Sequence, residues 1–137
     1  MTTKEYLQQI YHSRQRIQRL ERQRQQLRAN LFSLGSPSDL TKDRVQTTPD
    51  DKLIKLVARV DRLERDIVAE IAELTELIAT ISKQIESVSD ERYRTVLFNR
   101  YIMCWSWERV AVDMNMTRRW VLKLHGQALN SFRERGH

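Results

Sequence analysis

Three basic side chains near the C-terminal end of the chain could bind a polyanion. Arg118, Arg119 and Lys123 fall within six consecutive residues. Arginine can hold a guanine base through two hydrogen bonds, and lysine can reach guanine or phosphate. On a helix, Arg119 and Lys123 would lie one turn apart on the same face. The pattern predicts contacts to nucleic acid, and the alternative interpretation is a solvated basic face without a ligand.

The residues before this basic cluster predict a helix-turn-helix. Ser106 is suited to cap a first helix over about 106–114, and Thr117 to cap a second helix over about 117–133. Asn115 lies between them, where the chain needs a left-handed residue to change direction. Asn tolerates that conformation better than any residue except Gly. We therefore predict a tight turn at Asn115 that leads into the basic helix.

The second of these helices is predicted to have a packing face and an outward face. The packing face contains Val121, Leu124, Ala128 and Phe132, and the outward face contains Arg119, Lys123, Gly126 and Asn130. The first two turns of a recognition helix meet base edges in the major groove of DNA. The predicted DNA-binding residues are Thr117, Arg118, Arg119, Leu122, Lys123 and Asn130.

The remaining reactive side chains form no catalytic or metal-binding pattern. His12 and His125 have no second ligand at metal-binding spacing, so a packing role is the simpler interpretation. Cys104 has no spaced His or Asp partner, which favours a half-buried, inert thiol. Trp107 and Trp120 lie at helix starts and are interpreted as packing residues, although tryptophan can also stack on bases. The sequence predicts no enzyme, no metal and no cofactor.

Two long amphipathic helices precede this module. Apolar residues at spacings of three, four and seven predict one helix over about 4–34 and another from about 51, continuing for roughly 38 residues. Gly35 and the polar residues after it predict a loop over about 35–50. We predict an all-α fold, in which a long antiparallel helical hairpin (coiled coil) at 1–89 is followed by a three-helix helix-turn-helix domain at 90–137. The first helix of that domain is expected over about 91–103.

Charge is distributed unevenly along the chain. The net charge is +5 over residues 1–34, −5 over 50–91 and +6 over 92–137, against +6 for the whole chain. The two arms of the hairpin are therefore complementary. We interpret the first-arm arginines as partners of the acidic second arm, and contacts to nucleic-acid phosphates are the alternative. The C-terminal segment keeps its positive charge, which favours a polyanionic partner there.

The chain shows no sign of secretion or membrane insertion. Charges interrupt every apolar run, so no membrane span is predicted and no membrane partner is expected. Nothing at the N-terminus resembles a signal peptide, and a single cysteine excludes an internal disulfide. A cytoplasmic protein is the expectation.

Several segments of the C-terminal region resemble the fourth-region helix-turn-helix of sigma-70 factors. These segments are Leu97-Phe98-Asn99-Arg100-Tyr101-Ile102, Ser106-Trp107-Glu108-Arg109-Val110-Ala111, Arg118-Arg119-Trp120-Val121-Leu122-Lys123-Leu124-His125 and Ala128-Leu129. The whole chain resembles small phage and prophage proteins of Gram-positive bacteria that have a coiled-coil N-terminal half. It is more loosely similar to the ArpU and RinA regulators of phage late genes. The resemblance implies base or phosphate contacts at Arg118, Arg119 and Lys123, and a place in the bacterial host cell at the nucleoid.

Three functional hypotheses follow from these observations. The first is a phage-type transcriptional regulator that binds specific double-stranded DNA, with the helix at about 117–133 in the major groove. Its hairpin would supply a homodimer, a contact to RNA polymerase, or both. The second is a DNA-packaging or assembly factor, such as a small terminase-like subunit, with weakly specific DNA binding. The third is a protein-docking adaptor that does not bind DNA.

Overall fold

A computed structural model describes residues 1–34 and 49–137, and these residues form helices joined by turns. The helices are α1 (Thr3–Leu7), α2 (Gln9–Leu34), α3 (Pro49–Glu86), α4 (Glu91–Leu97), α5 (Trp107–Asp113) and α6 (Arg118–Glu134). A π-helical turn at Phe98–Ile102 follows α4 directly. No strand occurs in these two ranges, and the prediction of an all-α fold is confirmed.

Two of the predicted boundaries near the hairpin differ from the structure. Gln8 separates α1 from α2, but its φ of −72° and ψ of −8° remain helical, so the interruption lasts one residue. Pro49 and Asp50 were predicted in the loop and instead begin α3. Proline suits the first position of a helix, because an N–H there has no intrahelical partner. The rest of the predicted loop, residues 35–48, lies outside the described residues.

The described residues divide into two compact units, of which one is the described part of residues 15–72. In this unit α2 and α3 are antiparallel. Arg16 pairs with Glu70 at 3.5 Å, whereas Arg24, further along α2, pairs at 3.6 Å with Glu64, which is earlier in α3. Arg28 pairs with the same Glu64. The predicted pairing of the basic arm with the acidic arm is confirmed for these three arginines.

Apolar side chains form the seam between the two helices of this unit. Ile17, Val60 and Ile67 are buried, and Val60 and Ile67 are seven residues apart, one of the spacings that predicted the helices. Burying one such side chain contributes roughly 1.5–3 kcal/mol, whereas an exposed ion pair contributes at most about 1 kcal/mol. We infer that the seam supplies most of the stabilisation and that the ion pairs mainly select the register of the two helices.

The other unit contains Met1–Arg14 and Glu73–His137. Its core takes side chains from every helix that enters it. The largest side chains fully buried there are Leu7, Ile10, Ile81, Ile85, Val88, Val96, Leu97, Val110, Val121 and Phe132. Residues on both sides of the predicted domain boundary at residue 89 therefore share one core.

Hydrogen bonds fix the corner between α3 and α4. The guanidinium of Arg94 donates to the carbonyl oxygens of Val88 at 2.6 Å and Ser89 at 3.0 Å. The carboxylate of Asp90 accepts from the backbone N–H of Arg92 at 2.9 Å. Asp90 is thus the N-cap of α4.

The helix predicted over about 91–103 is α-helical only as far as Leu97. In the π-helical turn after it, the backbone N–H of Met103 donates to the carbonyl of Phe98 at 3.0 Å, five residues earlier. The wider turn allows Asn99, Tyr101 and Ile102 to be buried within four residues. A π-turn of this kind inserts one extra residue into a helix and rotates the residues that follow.

Candidate nucleic-acid interface

The turn between α5 and α6 has the geometry of a helix-turn-helix connection. The hydroxyl of Ser106 accepts from the N–H of Arg109 at 3.2 Å, and that of Thr117 accepts from the N–H of Trp120 at 3.1 Å. Both predicted caps are confirmed. Asn115 adopts the left-handed conformation, with φ of 54°, and its position in the turn is also as predicted. Ser106 fixes where α5 begins, and Asn115 and Thr117 fix where α5 ends and α6 begins.

The α6 helix has the two faces that its sequence predicts. Val121, Leu124, Ala128 and Phe132 are all buried in the core. Arg119, Lys123, Gly126 and Asn130, on the opposite side, are all exposed. Val110 and Ala111 of α5 are buried in the same core cluster, which holds α5 against α6. The predicted outward face therefore faces solvent and is accessible to a partner.

The structure brings most of the predicted DNA-binding residues to one accessible face. Arg119 and Lys123 are exposed there, and Leu122, which is 38 % exposed, lies between them in the sequence. Thr117 is also exposed, but its hydroxyl already caps α6. Asn130 lies two turns further along and accepts a hydrogen bond from Arg133 at 3.1 Å. Arg119, Leu122 and Lys123 thus form the centre of the predicted site.

Arg118 differs from the other predicted contacts because it has a partner within the protein. Its Nε lies 3.1 Å from a carboxylate oxygen of Glu108, in the first turn of α5. Sequence reasoning missed this pair, because the two residues are ten positions apart and meet only when α5 and α6 cross. Both side chains are more than half exposed, so the ion pair is open to competition from another anion.

Trp120 is placed differently from its predicted packing role. It is 48 % exposed, and the ammonium of Lys123 lies 5.2 Å from the centre of its ring. The spacing of three residues brings the two side chains together on one side of the helix. That spacing was a signal in the sequence that could have placed Trp120 beside the basic face. Trp107, in contrast, packs edge-on against His125 with ring centres 4.6 Å apart.

His125 is buried, which agrees with its predicted packing role, and it has a polar partner. Its Nε2 lies 2.6 Å from the hydroxyl of Tyr101. Burial lowers the pKa of His125 to about 4, and nearby Lys4 and Arg100 act in the same direction. Burial also raises the pKa of Tyr101 to about 12. Near neutral pH the tyrosine therefore keeps its proton, and its hydroxyl can donate a hydrogen bond to the uncharged imidazole.

Cys104 is half-buried, as predicted, in the turn before α5. Its thiol donates to the carbonyl of Tyr101 at 3.5 Å, and burial raises the pKa of the thiol. A raised pKa disfavours the thiolate, which is the reactive form. Among the described residues, no group of three or more His, Cys, Asp or Glu side chains is placed to hold a metal ion. Within residues 1–34 and 49–137, none of the helices combines the length and the apolar character that a membrane span requires.

A family model described as "protein of unknown function (DUF1492)" matches residues 33–132. The chain belongs to the DUF1492 family. The matched range includes α3 to α5 and all of α6 except its last two residues, so every predicted DNA-binding residue lies within the DUF1492 region. No curated protein and no solved structure matches the chain.

Proposed function

We propose that this DUF1492 protein is a sequence-specific transcriptional regulator of phage type, which binds double-stranded DNA with α6 in the major groove. The observation that supports this best is the outward face of α6. Arg119, Leu122 and Lys123 are exposed in the first two turns of a capped helix, and the opposite face of that helix is buried. A recognition helix needs a capped N-terminus, one face packed in the core and an opposite face exposed to DNA.

The chemistry of this face suits base edges as well as phosphates. Arg119 can hold guanine through two hydrogen bonds, and Leu122 can contact the methyl group of thymine. Lys123 can reach guanine or a phosphate. No acidic residue occurs in the sequence from Arg118 to Arg133, so nothing on the helix itself repels DNA over that length. The resemblance to phage regulators supports the regulatory role.

Selection of bound duplexes from a random DNA pool at near-physiological salt tests the proposal. Wild-type protein is expected to recover a motif, and Arg119→Ala to lose it, since one bidentate pair contributes about 1–3 kcal/mol of base discrimination. Arg22→Ala, which removes an exposed arginine from α2, is the charge-matched control and should keep the motif.

The other outcomes of this selection identify the alternatives. Binding without a motif, weakened equally by Arg119→Ala and Arg22→Ala, would contradict sequence-specific regulation and favour a packaging factor held by charge alone. No binding by the wild-type protein would favour a protein-docking adaptor. In either case the proposal fails.

For the hairpin we propose dimerisation with a second copy of the chain. Ile54, Val57, Val68 and Ile71 of α3 are all exposed, and Ile54 and Val68 are each 66 % exposed. Ile54 and Val57 are three residues apart, as are Val68 and Ile71, and the second pair follows the first after 14 residues, which is two heptads, beside the seam that α2 covers. Such spacing suits another helix better than an irregular protein surface, and for this reason we favour a second copy over RNA polymerase at this face.

A further inference from the structure

Gly126 is an unusual residue for the middle of a long helix. It is the ninth of 17 residues in α6, and it is exposed. Glycine is less favourable inside a helix than any residue except proline, because it loses the most backbone freedom on folding. Alanine or a long polar residue would be expected at such a position.

Nothing within the described part of the protein explains the missing side chain. Leaving aside its two chain neighbours and the helix backbone within four residues, a Cβ built on Gly126 has no heavy atom within 4 Å. The residue also lacks the positive φ that would favour glycine, which Gly136 does have. Neither close packing nor backbone conformation therefore requires a glycine here.

The neighbours of Gly126 place it at the centre of the outward face. Leu122 and Lys123 lie one turn before it, and Asn130 lies one turn after it. All three are exposed and carry longer side chains, so Gly126 leaves a gap in the surface between them. Arg119 lies two turns before Gly126 and projects in nearly the same direction.

We propose that Gly126 is a positioning residue for DNA, which lets the third turn of α6 lie close to the floor of the major groove. This inference rests on the proposed function. A helix with side chains is about 10–12 Å wide, and the major groove is about 12 Å wide, so the fit leaves little space. A side chain at residue 126 would lift the third turn and move Arg119 and Lys123 away from the base edges.

The proposal predicts opposite effects on folding and on binding. Gly126→Ala should raise the Tm by a few degrees, because alanine favours the helix and meets no neighbour. The same change should weaken binding to the selected DNA site about threefold to tenfold. Gly126→Gln, which adds a long polar side chain, should keep the Tm of the wild type or raise it and weaken binding about thirtyfold or more.

Thermal unfolding and titration of the selected duplex, measured on the same full-length proteins, test this prediction. Ala69→Gln is the control, since it adds the same side chain at an exposed position of α3 and should leave both quantities unchanged. If both Gly126 variants bind DNA as tightly as wild type while Arg119→Ala does not, this proposal is overturned and the proposed function stands. If the variants lose Tm together with affinity, Gly126 has a structural role instead. If the wild-type protein binds no DNA, both proposals fail.

Discussion

At the scale of single residues, His125 couples the stability of the core to pH. It is buried beside Tyr101 and Trp107, and the positive charges of Lys4 and Arg100 also disfavour its protonation. Its pKa is therefore about 4 in the folded protein, against an ordinary value of 6.5. In the unfolded chain the imidazole takes up a proton near its ordinary pKa. Acid conditions consequently favour the unfolded chain.

We expect the contribution of His125 to the free energy of unfolding to be complete above about pH 6.5 and to be lost as the pH falls toward 4. Each unit of pKa difference corresponds to about 1.4 kcal/mol, so the full loss is roughly 3 kcal/mol. Urea unfolding at a series of pH values measures it. Carboxylates also titrate near pH 4 and change the free energy of unfolding of both proteins. The contribution of His125 is therefore measured as the difference between wild type and His125→Phe, which keeps an aromatic ring.

The free energy of unfolding of wild type minus that of His125→Phe should decrease by this amount as the pH falls from 6.5 to 4. Parallel curves for the two proteins over that range would contradict the prediction. The packing role of His125 could be predicted from the sequence, because no second metal ligand lies at a suitable spacing. Its partner could not, since Tyr101 lies 24 residues away on another helix.

At the scale of helices, the ion pair between α5 and α6 influences how much positive charge is available to DNA. Glu108 forms an exposed ion pair with Arg118 at the start of α6. Glu108→Gln should release Arg118 to contact a phosphate, and should therefore increase DNA affinity several-fold at low salt. The dependence of log K on log salt should become steeper by up to about one unit, as expected for one more phosphate contact.

Titrations of one duplex at several salt concentrations measure this effect. Glu91→Gln removes the same charge from the first turn of α4 and serves as the control. Equal increases in the two variants would show that the overall charge, not the release of Arg118, determines the affinity. An unchanged salt dependence in Glu108→Gln would show that the pair with Glu108 does not limit the contact between Arg118 and DNA.

The helices also show which signals are local and which depend on the tertiary fold. The caps at Ser106 and Thr117 and the turn at Asn115 were predictable because each acts within three or four residues of itself. The π-turn was not predictable from the sequence. It buries Asn99, and the side-chain amide of Asn99 needs a partner from another helix, the carboxylate of Asp113 in α5, to which it donates a hydrogen bond at 2.8 Å. Periodicity alone predicts a regular helix through this segment.

At the scale of the whole molecule, the heptad pattern predicted the helices correctly but did not show which core each part of them joins. Ile10 and Ile17 are both seam positions on the first arm. Ile17 is buried in the unit of residues 15–72, whereas Ile10 belongs to the core cluster that also contains Phe132. A seam position in the sequence indicates that a side chain packs against other residues. The chain topology determines which residues those are.

The proposed dimer depends on the exposed apolar residues of α3. Val68→Glu places a charge among them, and burying an unpaired charge in an interface is costly. Sedimentation equilibrium should give wild-type protein twice the 16.4 kDa mass of one chain, and the variant the mass of one chain at the same concentration. Ala69→Glu is the control and should remain dimeric. Ala69 is next to Val68 in the sequence but faces away from the seam covered by α2 and from the exposed apolar residues of α3.

The oligomeric state also determines the form of the DNA site. A two-fold dimer presents two copies of α6, so the selected motif should be palindromic or repeated, with its halves separated by whole turns of DNA, about 10–10.5 base pairs each. In that case Val68→Glu should still bind one half-site, but with the lower affinity of a single module. A monomeric wild-type protein, or a variant that remains dimeric, would contradict dimerisation through this face and leave α6 to recognise one short site alone.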